Sequence, residues 1–210
     1  MGRYKLTFFL LVGFPFLFGA CPSAKQPTSR TQFYTLEYSP PQMAQVKPLD
    51  LAIKMERFGV APTYNTSRII YRDGSFKRNA YFYYKWRANP GDLVTYFLSR
   101  DMKQSGLFRA VLPHDSRVPS SHKLEGTVDE FFEWDKDENW EAILSVSIVF
   151  MAENEPAVSK RVLYQKAYRA QKPCKQKNPG ALAEAMSHAM AEISGEIIQD
   201  IYDHMKETPQ

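Results

Sequence analysis

The chain predicts an α+β fold, a mixed β-sheet sandwich with two helices packed on one face. Three observations carry this expectation. Alternating apolar and polar residues recur through several short segments, two other segments carry apolar residues at three- and four-residue spacing, and the order runs strands, helix, strands, helix.

Phe33 to Tyr38 reads as an aromatic strand closed by Ser39-Pro40-Pro41. Leu51, Ile53 and Met55 alternate with Ala52, Lys54 and Glu56, the pattern of a half-buried strand. Arg68 to Arg72 and Tyr81 to Trp86 flank Asp73-Gly74-Ser75, a hairpin with an extended turn. Downstream lie His122 to Trp134, Trp140 to Met151 and Arg161 to Tyr168. The second of these is the clearest, with Ala142, Leu144, Val146, Ile148 and Phe150 on one face. Helical spacing begins at Asn89-Pro90-Gly91-Asp92, where a cap-competent Asn precedes a proline, continues through Val94, Phe97, Leu98 and Met102, and stops at Gly106. Asn178-Pro179-Gly180 opens a longer helix in the same way. Its Leu182, Met186, Met190, Ile193, Ile197 and Ile201 form one apolar stripe, and Glu184, Glu192, Glu196, Asp200 and Asp203 form a solvated far side.

Before the first strand the chain has a different character. Arg3 and Lys5 precede an apolar stretch from Leu6 to Phe18, and Gly19-Ala20 lead directly into Cys21. The stretch has 13 residues, a rise of roughly 20 Å as a helix against a hydrocarbon core of about 30 Å. It also contains Pro15. The pattern is that of a lipoprotein signal over residues 1–20, with Cys21 as the lipidation site bearing N-acyl and S-diacylglycerol groups; the alternatives are an ordinary secretory signal with Cys21 unmodified and a buried hydrophobic helix. Phe18 stands where Leu is commonest, and Pro22 follows the cysteine in place of the Asp of many inner-membrane lipoproteins. Residues 21–32 are then an acylated cysteine and a polar, proline-bearing flexible tether, whose eleven residues from Pro22 to Gln32 have a typical reach of roughly 20 Å. A single domain is expected over residues 33–206.

Composition narrows the function. Without residues 1–20 the remaining 190 carry 25 basic and 23 acidic side chains, a net charge of +2, which gives no reason to invoke nucleic acid. Cys174 is the second of two cysteines and sits in a Lys-rich segment, Lys172 to Lys177, expected to be a polar loop without a partner thiol. No phosphate-binding loop, nucleophile elbow or paired-histidine zinc motif occurs, and Ser67, Ser75 and Ser105 lack an evident base. His114, His122, His188 and His204 have no metal-ligand spacing and are expected to face solvent or cap elements. Asp129, Glu130, Glu133, Asp135, Asp137 and Glu138 read as a solvated hairpin end. No metal, cofactor or catalytic residue is expected.

The aromatic run Tyr81, Phe82, Tyr83, Tyr84, Trp86 has two readings: packing in the core beneath a helix or second sheet layer, or an exposed surface that is the candidate contact for a partner or lipid. Ideal alternation puts Tyr81 and Tyr83 on one face and Phe82, Tyr84 and Trp86 on the other.

Several segments in order carry a family resemblance. They are Phe33-Tyr34-Thr35-Leu36 soon after Cys21, Ser67 to Arg72, Tyr81 to Trp86 leading into Asn89-Pro90-Gly91-Asp92-Leu93, Ser105 to Val111, and Leu124 to Val128. Together they resemble the ABC-type transport auxiliary lipoproteins, from the signal to about Tyr202. The resemblance implies an α/β domain tethered to a membrane and working with a mammalian-cell-entry (MCE)-type transport protein, which moves phospholipid or other hydrophobic molecules across a Gram-negative envelope. It implies a periplasm-facing lipoprotein of the outer membrane, with the inner membrane as the alternative. A structural envelope tether without a transport role is the competing reading of the sequence.

Overall fold

The computed structural model describes Gly2 and residues 30–44, 46–74, 76–136 and 138–207. Cys21 and the expected signal lie outside the described residues.

The strands are β1 (Gln32–Tyr34), β2 (Leu49–Met55), β3 (Gly59–Val60), β4 (Arg68–Arg72), β5 (Asn79–Trp86), β6 (Phe108–Leu112), β7 (His122–Lys136), β8 (Asn139–Ala152) and β9 (Val162–Pro173). The helices are α1 (Pro90–Ser105), the single-turn α2 (Val158–Arg161) and α3 (Pro179–Glu207). The nine strands of the described residues join one curled mixed sheet, confirming the α+β expectation.

The sheet is organised around β7. One edge of β7 pairs antiparallel with β8 from His122 to Lys136, and β8 pairs antiparallel with β9. Its other edge accepts three short parallel strands in succession: β2 at His122–Leu124, β3 at Thr127–Val128 and β4 at Glu133–Trp134. From β2 the sheet continues to β6, and from β4 through β5 to β1, so β1 and β9 are lateral edges.

Both main helices pack on the sheet and against each other, which places them on one face. The stripe expected on α3 is buried from Leu182 to Ile201, each member no more than 1% exposed. Both Asn-Pro-Gly starts act as read: Asn89 Oδ1 accepts from Gly91 N at 3.0 Å, and Asn178 Oδ1 from Ala181 N at 2.9 Å. Gly106 ends α1 at φ 67°, the left-handed conformation that glycine adopts without steric cost. Among the described residues, every core residue lies between Leu36 and Met205, so the chain from Pro22 onward contains that core.

Three departures have physical causes. The first strand stops at Tyr34 instead of Tyr38, because the Glu37 N–H donates to Ser187 Oγ of α3 at 2.9 Å and Tyr38 stacks on Phe97 of α1. The last strand runs beyond Tyr168 to Pro173, with Ala170 still facing inward. The acidic side of α3 is only partly solvated, since Lys175 pairs with Glu184 at 2.5 Å, Lys172 pairs with Glu192, and Asp200 accepts from Tyr168 at 2.8 Å and Lys166 at 2.6 Å. Burial works against the Asp200 charge, but these donors together with Tyr164 hold its carboxyl below the ordinary range.

Candidate functional site: an aromatic and basic sheet edge

β5 is not a regular strand. Ile70 pairs with Ala80 and Arg68 with Lys85, so two steps along β4 are matched by five along β5. The extra residues form a bulge that resets which side chains face inward. The expected alternation is therefore incorrect. Tyr81 and Tyr84 turn inward together, their ring centroids 5.5 Å apart, and Trp86 is 1% exposed against Phe131. Phe82 and Tyr83 are the outward pair, 69% and 41% exposed, with their rings edge to face at 4.8 Å.

The inward half forms a buried polar and aromatic cluster. Tyr81 lies 4.6 Å from Tyr71 and 6.4 Å from Trp140, ring to ring, and donates its hydroxyl to Glu133 Oε1 at 2.8 Å. Glu133 is fully buried, a correction to its reading as part of a solvated hairpin end. Burial pushes its carboxyl up to about 7; the Tyr81 hydrogen bond and Lys177 oppose that rise, and Asp135 adds to it. Glu133 Oε2 and Trp140 Nε1 have no hydrogen-bond partner among the described residues.

The outward half is extended by neighbouring strands. Parallel pairing of β1 with β5 sets Phe33 beside Lys85, and antiparallel pairing sets Arg68 opposite Lys85 on the other side. Paired residues project to the same face, and Tyr83, Lys85 and Arg87 share it at two-residue spacing. The Arg87 guanidinium lies over the Phe33 ring at 5.7 Å, and Phe33 is 54% exposed. Among the described residues, no carboxylate forms an ion pair with Arg68, Lys85 or Arg87. At the β4–β5 hairpin, Phe76 is wholly exposed beside Lys77 and Arg78. The sequence signal was the aromatic run alone. The contributions of Phe33 and Arg68 depend on strand pairing with Lys85 from distant parts of the chain, which no local pattern displays.

The remaining candidates fall elsewhere. Cys174 is buried against the core, not in a polar loop, and its N–H donates to the Trp140 carbonyl at 2.8 Å. Burial, with the charges of Glu133 and Glu141, pushes its thiol up to about 12, so it is a poor nucleophile near neutral pH. His122 is also buried, stacked on Phe150 at 5.2 Å with Nδ1 2.8 Å from Ser121 Oγ, and burial lowers its pKa. Ser105 caps the end of α1 by donating to the Met102 carbonyl at 2.7 Å. Beside α1 runs a groove of about 590 Å³ walled by Met55, Arg57, Tyr96, Arg100 and His114. Arg57 and Arg100 are engaged there by Asp92 and Asp101.

This fold has been seen in other chains. A Xanthomonas campestris protein of the DUF330 family is similar at a TM-score of 0.75 and 15% identity, over 84% of this chain and 98% of its own. A hypothetical protein from Chlamydia trachomatis gives 0.52 and 10% over 74% and 98%. At such identities the likeness is one of fold. No curated protein matches the sequence. The family model for the ABC-type transport auxiliary lipoprotein component, which describes transport accessories and not enzymes, matches residues 34–198, reaching from the end of β1 into α3 and including Arg68, Phe82, Tyr83, Lys85 and Arg87 of the aromatic and basic edge. The chain belongs to the ABC-type transport auxiliary lipoprotein family.

Proposed function

We propose that this lipoprotein is the membrane-anchored accessory of an MCE-type lipid transport system of a Gram-negative envelope, facing the periplasm from the outer membrane. The family match over residues 34–198 carries the reading. The signal pattern before Cys21 supports it, because a lipid-modified cysteine holds the domain within a tether's length of a bilayer. In this reading residues 1–20 are removed, Cys21 receives N-acyl and S-diacylglycerol groups, residues 21–32 are the tether, and residues 33–206 act as one domain. Its role is to fix one end of a lipid path to the membrane that contains its acyl chains, while the transport protein moves the cargo.

Metabolic labelling with a fatty-acid probe, combined with deletion of the gene, tests this. The wild type takes up label and Cys21→Ser does not. Deletion makes the envelope more permeable to detergents and apolar drugs, and only the acylated form restores it. Equal labelling of both forms contradicts the anchor, and an unchanged barrier after deletion contradicts the transport role.

A further inference from the structure

We propose that the outer face formed by β1, β4 and β5 is a second membrane contact, which lays this edge of the domain on an anionic phospholipid surface. The inference rests on the anchored-lipoprotein reading above and adds to it an orientation.

Charge, shape and chain path point to the same occupant. Phe33, Phe82 and Tyr83 are exposed aromatics sharing an edge with Arg68, Lys85 and Arg87, whose charges no carboxylate of the described residues neutralises through an ion pair. Aromatic rings settle at the headgroup level of a bilayer, and basic side chains beside them are drawn to anionic lipid. A protein partner of opposite charge meets the electrostatic half of this surface, but the chain path selects the bilayer. β1 begins at Gln32 opposite Tyr84 and runs parallel to β5, so the chain joins the sheet at the edge that carries Phe82 and Tyr83. Ten residues separate Cys21 from Gln32. With a reach of roughly 20 Å, they hold this edge, and not the β9 edge across the sheet, close to the anchoring membrane.

The tether also decides whether a small patch is sufficient. Three cations and three rings bind a bilayer weakly by themselves, yet a link of some ten residues raises the local concentration to about millimolar, enough to favour the docked state. Docking turns a freely tumbling domain into one with a fixed orientation.

The test uses the chain from Pro22 onward, which lacks the anchor and retains the core of the described residues. It is sedimented with vesicles of phosphatidylethanolamine alone, or of phosphatidylethanolamine with phosphatidylglycerol, at about millimolar lipid to match the concentration that the anchor would supply. Binding to the anionic vesicles is expected, with release by salt and a weakening of about fivefold for each of Arg68→Gln, Lys85→Gln and Arg87→Gln. Phe82→Ser combined with Tyr83→Ser weakens it further, with the melting temperature unchanged because both side chains are outward. No binding by the wild type, or binding equal on the two vesicles or unaffected by salt, overturns the proposal. So does concentration-dependent self-association without lipid that the same variants abolish, which assigns the face to a second copy of the chain. Neither acyl chain nor transport partner is present in this assay, so its failure leaves the transport reading standing, and failure of that reading leaves this result intact.

Discussion

The carboxyl of Glu133 lies fully buried beneath Tyr81, whose hydroxyl donates to it at 2.8 Å. Burial raises its pKa from 4.5 to about 7, so the folded protein retains a proton that the unfolded chain releases earlier. The sign follows from proton counting: the stabilisation is complete below about pH 4.5 and is lost as the pH rises through about 7. A difference of that size corresponds to roughly 3 kcal/mol at most. Glu133→Gln retains the shape and removes the titration. Urea unfolding from pH 5 to pH 8 is expected to show wild-type stability falling relative to the variant by up to about that amount, and a constant difference between the two contradicts the assignment. Buried His122 acts in the opposite sense in both proteins, losing stability as the pH falls. Nothing local in the sequence distinguishes Glu133 from its acidic neighbours. Its burial follows from the β4–β7 pairing that sets it opposite Tyr71, and Cys174 is hidden for a similar reason, beside β8 at the end of β9.

Elements with a full period of their own were legible in advance. β8 shows it best, with Ala142, Leu144, Val146, Ile148 and Phe150 all wholly buried, and α1 and α3 begin at the asparagines that cap them. Elements whose limits depend on a neighbour were not legible. β6 is five residues long and forms by pairing with β2, and the bulge in β5 appears only against β4. β7 itself depends on a close approach. A Cβ added at Gly126 would lie 2.2 Å from Phe58 Cε1, and Phe58 is 4% exposed. Gly126→Ala is thus expected to displace a packed ring and cost about 1–3 kcal/mol, read as a lower urea midpoint at unchanged slope. An unchanged midpoint would mean that the ring relaxes freely.

Across the whole molecule, β7 divides the work of the sheet. Along one side the long β8–β9 hairpin and α3 provide most of the packing, while at its far end β4 leads through β5 to β1, the first strand of the chain. In the proposed reading the domain is thereby hung from one lateral edge, with the β9 edge at the opposite side of the sheet. That arrangement suits an accessory that joins a membrane to a separate transport protein. Native co-purification from detergent-solubilised membranes tests this central claim most directly. The account predicts that the wild-type lipoprotein brings down an MCE-type protein, and that Cys21→Ser, folded but unanchored, recovers much less of it. Recovery of a folded, membrane-bound lipoprotein with no such partner would contradict the account.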